Sequence, residues 1–206
     1  EARIWARNSQ QKVKTDPQTL KQMIQHLKGV TLSDAKRLIR GAIADDSAIT
    51  ESDLPQINKA KFELMDMDSV LAYEYQTAQF SEVAGLANFK DWLAVRKNAF
   101  NTGEAHLRPK GVLLLGVQGG GKSLAAKAIA GTWHLPLLRL DMGAMYNKFI
   151  GETERNLRDA LALADMMSPC VLWLDEIEKG VSGEQTDGGV STRMLGTLLT
   201  WMSERQ

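Results

Sequence analysis

The 206-residue chain has one cysteine, three histidines, five prolines and no net charge, 25 basic residues balancing 25 acidic ones. Each shortage removes a class of explanation. Cys170 alone cannot close an internal disulfide, and such sparing use of cysteine suits a reducing compartment. His26, His106 and His134 lack metal-ligand spacing, and with a single thiol they give no zinc pattern. A neutral balance offers no bulk field for nucleic acid or an anionic membrane, so neither partner is expected. No apolar run nears the roughly 18 residues that span a bilayer, and no secretory signal opens the chain. The composition reads as that of a soluble cytosolic protein. The chain begins on Glu1 without an initiator methionine, so upstream sequence is expected.

What is present falls into two textures. Residues 1–78 read as a small all-α helical bundle. In "PQTLKQMIQHLKGV" the apolar Leu20, Met23, Ile24 and Leu27 recur at helical spacing, with Gly29 as the stop. "TLSDAKRLIRGAIADD" opens on a Thr31–Asp34 capping pattern, with Leu38, Ile39 and Ala42 on one face. "ITESDLPQINKAKFELM" starts on Thr50 or Ser52, tolerates Pro55 in its first turn, and turns Ile57, Ala60 and Leu64 inward. "DSVLAYEYQTAQF" (68–80) suits either a strand or an extended linker.

Residues 79–206 alternate short apolar runs with amphipathic helices. "VLLL" (112–115), "LPLLRL" (135–140) and "VLWL" (171–174) read as buried strands. Helices are expected near 122–133, near 153–167 with Leu157, Ala160, Leu161 and Ala164 inward, and near 191–204 with Met194, Leu195, Leu198, Leu199 and Met202 inward. This alternation without hairpin signals predicts an α/β fold with a parallel sheet flanked by helices.

Between the first such strand and helix lies Gly116-Val117-Gln118-Gly119-Gly120-Gly121-Lys122-Ser123, which satisfies G-x-x-x-x-G-K-[ST] in the context that gives the pattern meaning. Phosphate oxygens need many donors at close range, and backbone amides supply them only where no Cβ blocks approach. The helix start, through Leu124, adds the positive end of its dipole. Lys122 is the candidate for the β- and γ-phosphates and Ser123 for Mg²⁺. A glycine-rich turn would match by accident in roughly 1% of chains of this length. "VLWLDE" adds Asp175 and Glu176 at a strand end. Alone they would be an ordinary cap or solvated turn. With the loop upstream, Asp175 is a candidate magnesium anchor and Glu176 a candidate for polarising the attacking water. The expected cofactors are therefore a nucleoside triphosphate and Mg²⁺.

Five stretches in order, "FSEVAGLANFKDWL" (80–93), the glycine-rich loop, "YNKFIGETERNLRDAL" (146–161), "LWLDEIEKG" (172–180) and "VSTRMLGTLLTWM" (190–202), resemble the AAA+ ATPases. On "DDSAITESDLP" and "LADMMSPCVLWLDEIEKG" the whole chain is similar to a bacterial and plastid AAA+ family of hypothetical open-reading-frame proteins. The resemblance implies a P-loop core that uses ATP and forms a homo-oligomeric ring of six, acting on a protein client in a bacterial cytoplasm or plastid stroma. It implies that Val83, Ala84 and Gly85 line the adenine, Ala84 standing where glycine is common. Val117-Gln118 replaces the usual Pro-Pro, which backbone-mediated phosphate binding should tolerate. Phe149, Ile150 and Gly151 resemble a central-pore loop that would grip extended polypeptide; packing beneath the next helix is the other reading of Phe149. The family's sensor, arginine finger and C-terminal lid find no match within 79–206, so the core is expected to be incomplete and weakly hydrolytic. Residues 1–78 resemble the lid that follows an AAA+ core, which would imply an upstream nucleotide-binding module; a helical brace or adaptor is the other reading. A nucleotide-gated scaffold and a DNA-acting ATPase stand beside the protein-remodelling motor.

Overall fold

A computed structural model describes residues 4, 6–7, 13–65, 70–102, 109–148, 152–178 and 189–204. Its helical half is closed by a two-residue parallel bridge, β1 (Lys14–Thr15) against β2 (Ala48–Ile49). Between them run α1 (Pro17–His26) and α2 (Leu32–Asp46). Asp16 starts α1 by accepting from the amides of Gln18 at 2.8 Å and Thr19 at 2.9 Å, with Pro17 in the first turn. Gly29, at φ +85°, turns the chain after α1. The expected cap opens α2: Asp34 N–H donates to Thr31 Oγ1 at 3.2 Å, and that hydroxyl donates to Asp34 Oδ2 at 2.7 Å. A 3₁₀ turn (Glu51–Asp53), held by Thr50 N–H on Asp53 Oδ2 at 2.7 Å, leads into α3 (Leu54–Met65).

Met23, Leu38, Ile43, Ile49, Leu54 and Ile57 form the core of this half. Two of the expected stripes need correction. In α1, Met23 is buried, but Leu20 and Ile24 face outward while Thr19 and His26 turn in. In α3, Leu64 is exposed and Phe62 takes the inner position. The cause is tertiary: α1 meets α3 through His26, whose neighbours Asn58 and Lys61 lie on the inner side of α3.

The other half is built on a three-stranded sheet in the order β3-β4-β5. β3 (Leu71–Glu74) comes from the ambiguous 68–80 segment and lies antiparallel to β4 (Leu137–Asp141). β4 is parallel to β5 (Val171–Asp175), and the crossover carries α6 (Met142–Lys148) and α7 (Thr153–Met166). The sheet is thus mixed, with an antiparallel edge, and parallel where the helical crossover demands it. Alternation along the strands sends Leu138, Leu140, Leu172 and Leu174 to one face, against Leu157, Ala160, Leu161 and Ala164 of α7 and Met194 and Leu198 of α8 (Val190–Glu204). The expected stripe of α7 is wholly buried; in α8, Leu199 instead points outward.

The opposite face carries α5 (Lys122–Trp133), which rests on β4 and β5. Its small residues Ala125, Ala128 and Ala130 are buried. At Gly131 the fit is closest: a Cβ there would lie 2.1 Å from the carbonyl oxygen of Ala78. The segment before α4 (Ala87–Thr102) is bonded to the same end of α5, through Ala78 N–H on Lys127 O at 3.2 Å, Gln79 Nε2 on Gly131 O at 3.0 Å and Phe80 N–H on Thr132 Oγ1 at 3.2 Å.

The buried strand expected at 112–115 does not form. Residues 111–117 belong to no helix or ladder, and Leu113, Leu115 and Val117 are 69%, 84% and 80% exposed. A buried parallel strand needs a neighbour for its amides and an apolar layer on each face. Among the described residues β5 pairs only with β4, and no strand stands beside 111–117. The segment is tethered at Lys110 instead, whose Nζ donates to Ser203 O of α8 at 2.7 Å.

Candidate active site

The geometry of α5 brings the glycine-rich loop back to the sheet. The helix has 12 residues and rises about 18 Å. A three-residue turn joins it to β4, whose five residues rise about 17 Å. The two lengths match, and a helix of that length running back along β4 and β5 has its first turn at the height of their carboxyl ends. Phosphate sites sit at such an edge in open α/β sheets.

The loop itself is bare. Gly121 precedes α5 in the left-handed region at φ +81°, and no side chain caps the helix among the described residues. No capping side chain takes up the amides at this helix start, the arrangement that suits an anion. Gly119 is also left-handed, at φ +79°. A Cβ at Gly116, Gly119 or Gly121 would meet no described protein atom, so hydrogens there leave an open cradle rather than relieve a clash. Gly120 N–H donates to Val117 O at 3.1 Å and pins the turn. Lys122 Nζ donates to Gly116 O at 2.8 Å and Val117 O at 2.9 Å, placing an ammonium across the loop mouth. The side chains of Val117 and Gln118 are outward, as a backbone-only cradle requires. These features suit a triphosphate.

Asp175 ends β5 and is the register partner of Asp141, which ends β4. Two carboxylates so opposed repel each other. Arg139 lies between them: its Nη2 is 2.8 Å from Asp175 Oδ2 and 3.5 Å from Asp141 Oδ2. Its guanidinium lies over the Trp173 ring, 4.9 Å from the centroid. Asp141 has a second task, accepting Ala144 N–H at 2.8 Å in the first turn of α6. Glu176 follows at φ +54°, a strained setting for a non-glycine residue at a strand end. Sequence reading singles out Asp175 and Glu176 but not their neighbours Arg139 and Asp141. The signal was there, since "RLD" places both on one face of the strand, beside "WLD".

The other expected residues are placed less centrally. Val83 is buried and its carbonyl accepts from Lys90 Nζ at 2.5 Å, while Ala84 and Gly85 are exposed. Their segment is anchored to α5 between Lys127 and Thr132, about 8–15 Å along the axis from Lys122. Phe149, Ile150 and Gly151 lie outside the described residues. Among the described helices none is long and apolar enough to cross a membrane.

Residues 112–206 match the ATPase family associated with various cellular activities (AAA), and residues 1–68 match the second domain of SpoVK-like AAA ATPases. The chain belongs to the AAA ATPases. This AAA chain is similar to the AAA domain-containing protein ycf46 of Trieres chinensis, 35% identical over 92% of the chain and 39% of that relative. The ycf46 protein of Pyropia yezoensis is 38% identical over 86% of the chain and 37% of its own length. A more distant relative, the ATP-dependent zinc metalloprotease FtsH of Parabacteroides distasonis, is 31% identical over 71% of the chain and 22% of its length. The AAA chain thus spans well under half the length of these relatives.

Proposed function

We propose that this AAA chain binds ATP with Mg²⁺ and, in a homo-oligomeric ring of six, couples its hydrolysis to remodelling a protein client. What carries the reading is the uncapped start of α5, with its bare loop and Lys122, on a helix that rests against the two strands ending at Asp141 and Asp175. The amides from Gly116 to Leu124 hold the phosphates, and Lys122 leaves the carbonyls of Gly116 and Val117 to meet them. Ser123 and Asp175 hold Mg²⁺, which supplies Lewis-acid neutralisation of phosphate charge. Glu176 orients and polarises the attacking water. Val83, Ala84 and Gly85 border the base, and Phe149, Ile150 and Gly151 grip the client. A relative named for ATP dependence and proteolysis supports a polypeptide client, and the 1–68 match supports reading α1–α3 as part of an AAA module, for which the role proposed is lid-like. The proposed setting is a bacterial cytoplasm or plastid stroma, with neither membrane nor nucleic acid as partner.

Calorimetric titration tests the core of the reading. Wild-type protein is expected to give saturable heat with ATP and Mg²⁺, and Lys122→Ala to lose most of it. A folded wild type that gives no heat with ATP or GTP overturns the proposal.

A further inference from the structure

Arg139 is spent on the carboxylate that the reading above assigns to the metal. The arginine is anchored on one side only: Nη2 meets Asp175 and, more distantly, Asp141, while Nε is buried with no hydrogen-bond partner among the described residues. The guanidinium carbon lies 4.9 Å from the Trp173 ring centroid, and the ring attracts the cation without fixing which carboxylate it pairs with. Asp141 and Asp175 are cross-strand neighbours, so a small swing takes the charge from one carboxylate to the other. Two cations cannot share Asp175 at full strength, since each weakens the field that holds the other.

We infer that Arg139 is the resident counter-ion of Asp175 and is handed to Asp141 when Mg²⁺ enters, so that this pair sets the magnesium concentration at which nucleotide is held. Arg139 is a positioning residue, acting through Asp175. Asp141 is the receiving carboxylate. The inference rests on the assignment of Asp175 as magnesium anchor. It also explains why a basic residue occupies a strand face beside that anchor: without it, Asp141 and Asp175 would face each other unshielded whenever the metal is absent.

The test is magnesium titration of fluorescent N-methylanthraniloyl-ATP binding, with EDTA at the start and the same nucleotide concentration throughout. Magnesium complexation by free nucleotide is then common to all variants. Arg139→Gln should lower the half-saturating Mg²⁺ by about fivefold, the scale of one partly exposed ion pair. Arg139→Lys should stay near wild type. Asp141→Asn keeps an oxygen for the Ala144 amide but removes the receiving charge, and should raise the half-saturating value. Opposite shifts from two neighbouring substitutions are not a signature of general loosening. The inference is overturned if Arg139→Gln and Asp141→Asn move the value the same way, or if either folds and leaves it unchanged. A silent wild type would sink the nucleotide reading itself, and this inference with it.

Discussion

Stability between pH 6.5 and 4 should report on one imidazole. His26 ends α1 and is only 3% exposed. Burial pulls its pKa from 6.5 down to about 4; the hydrogen bond with Asn58 opposes that shift and the charge of Lys61 reinforces it. Nδ1 is buried without a hydrogen-bond partner among the described residues, so protonation there would place a donor with nothing to receive it. In the unfolded chain the same group takes a proton near 6.5. The unfolded state therefore binds more protons between the two values, and the contribution of His26 is complete above pH 6.5 and lost as pH falls to about 4. The gap between the unfolded and folded pKa corresponds to about 3 kcal/mol. Urea unfolding followed by far-ultraviolet circular dichroism at pH 7 and pH 4 measures it. His26→Gln retains a polar end for Asn58 and removes the titration. Its loss on acidification should be smaller than that of wild type by about 3 kcal/mol, carboxylate effects cancelling in the difference. Equal losses in both proteins would refute the reasoning.

Lys61, fully buried in α3, donates to His26 O at 2.9 Å and Lys28 O at 2.5 Å, and burial lowers its pKa to about 8. Its folded pKa lies below the unfolded value of 10.5, so wild type should gain stability relative to Lys61→Met between pH 8 and 10.5, as chemical melts across that range would record. Gly131→Ala must push Ala78 away from α5 and should cost about 2 kcal/mol, read as a lower thermal midpoint; an unchanged midpoint would mean that the contact yields freely. Glu176→Gln should keep ATP binding while lowering phosphate release by about 100-fold or more in a turnover assay.

The local features were legible because their causes are local. The glycine-rich loop combines a left-handed Gly121, a bare helix start and Lys122 in one contiguous run, and the α7 stripe needs only helical periodicity. The Thr31–Asp34 cap likewise lies within three residues. What failed depends on a second segment. Apolar residues at 112–115 predict a strand, but a ladder needs a neighbour that composition cannot supply. Leu20 and Ile24 suit an inner face as well as Thr19 and His26 do, until Asn58 and Lys61 arrive from α3 and choose between them. Arg139 was overlooked because its meaning lies across the sheet, in register with Trp173 and beside Asp175.

α5 has an obligation at each tip: Gly121 opens the cradle at one, and Gly131 admits the Ala78 carbonyl at the other. Each added or deleted residue would rotate one tip against the other by about 100°. Buried Ala125, Ala128 and Ala130 already limit which side chains this rod can carry, and its length is limited as well. An indel anywhere between the two glycines would misalign either the cradle or the seam, however gentle the residue chosen.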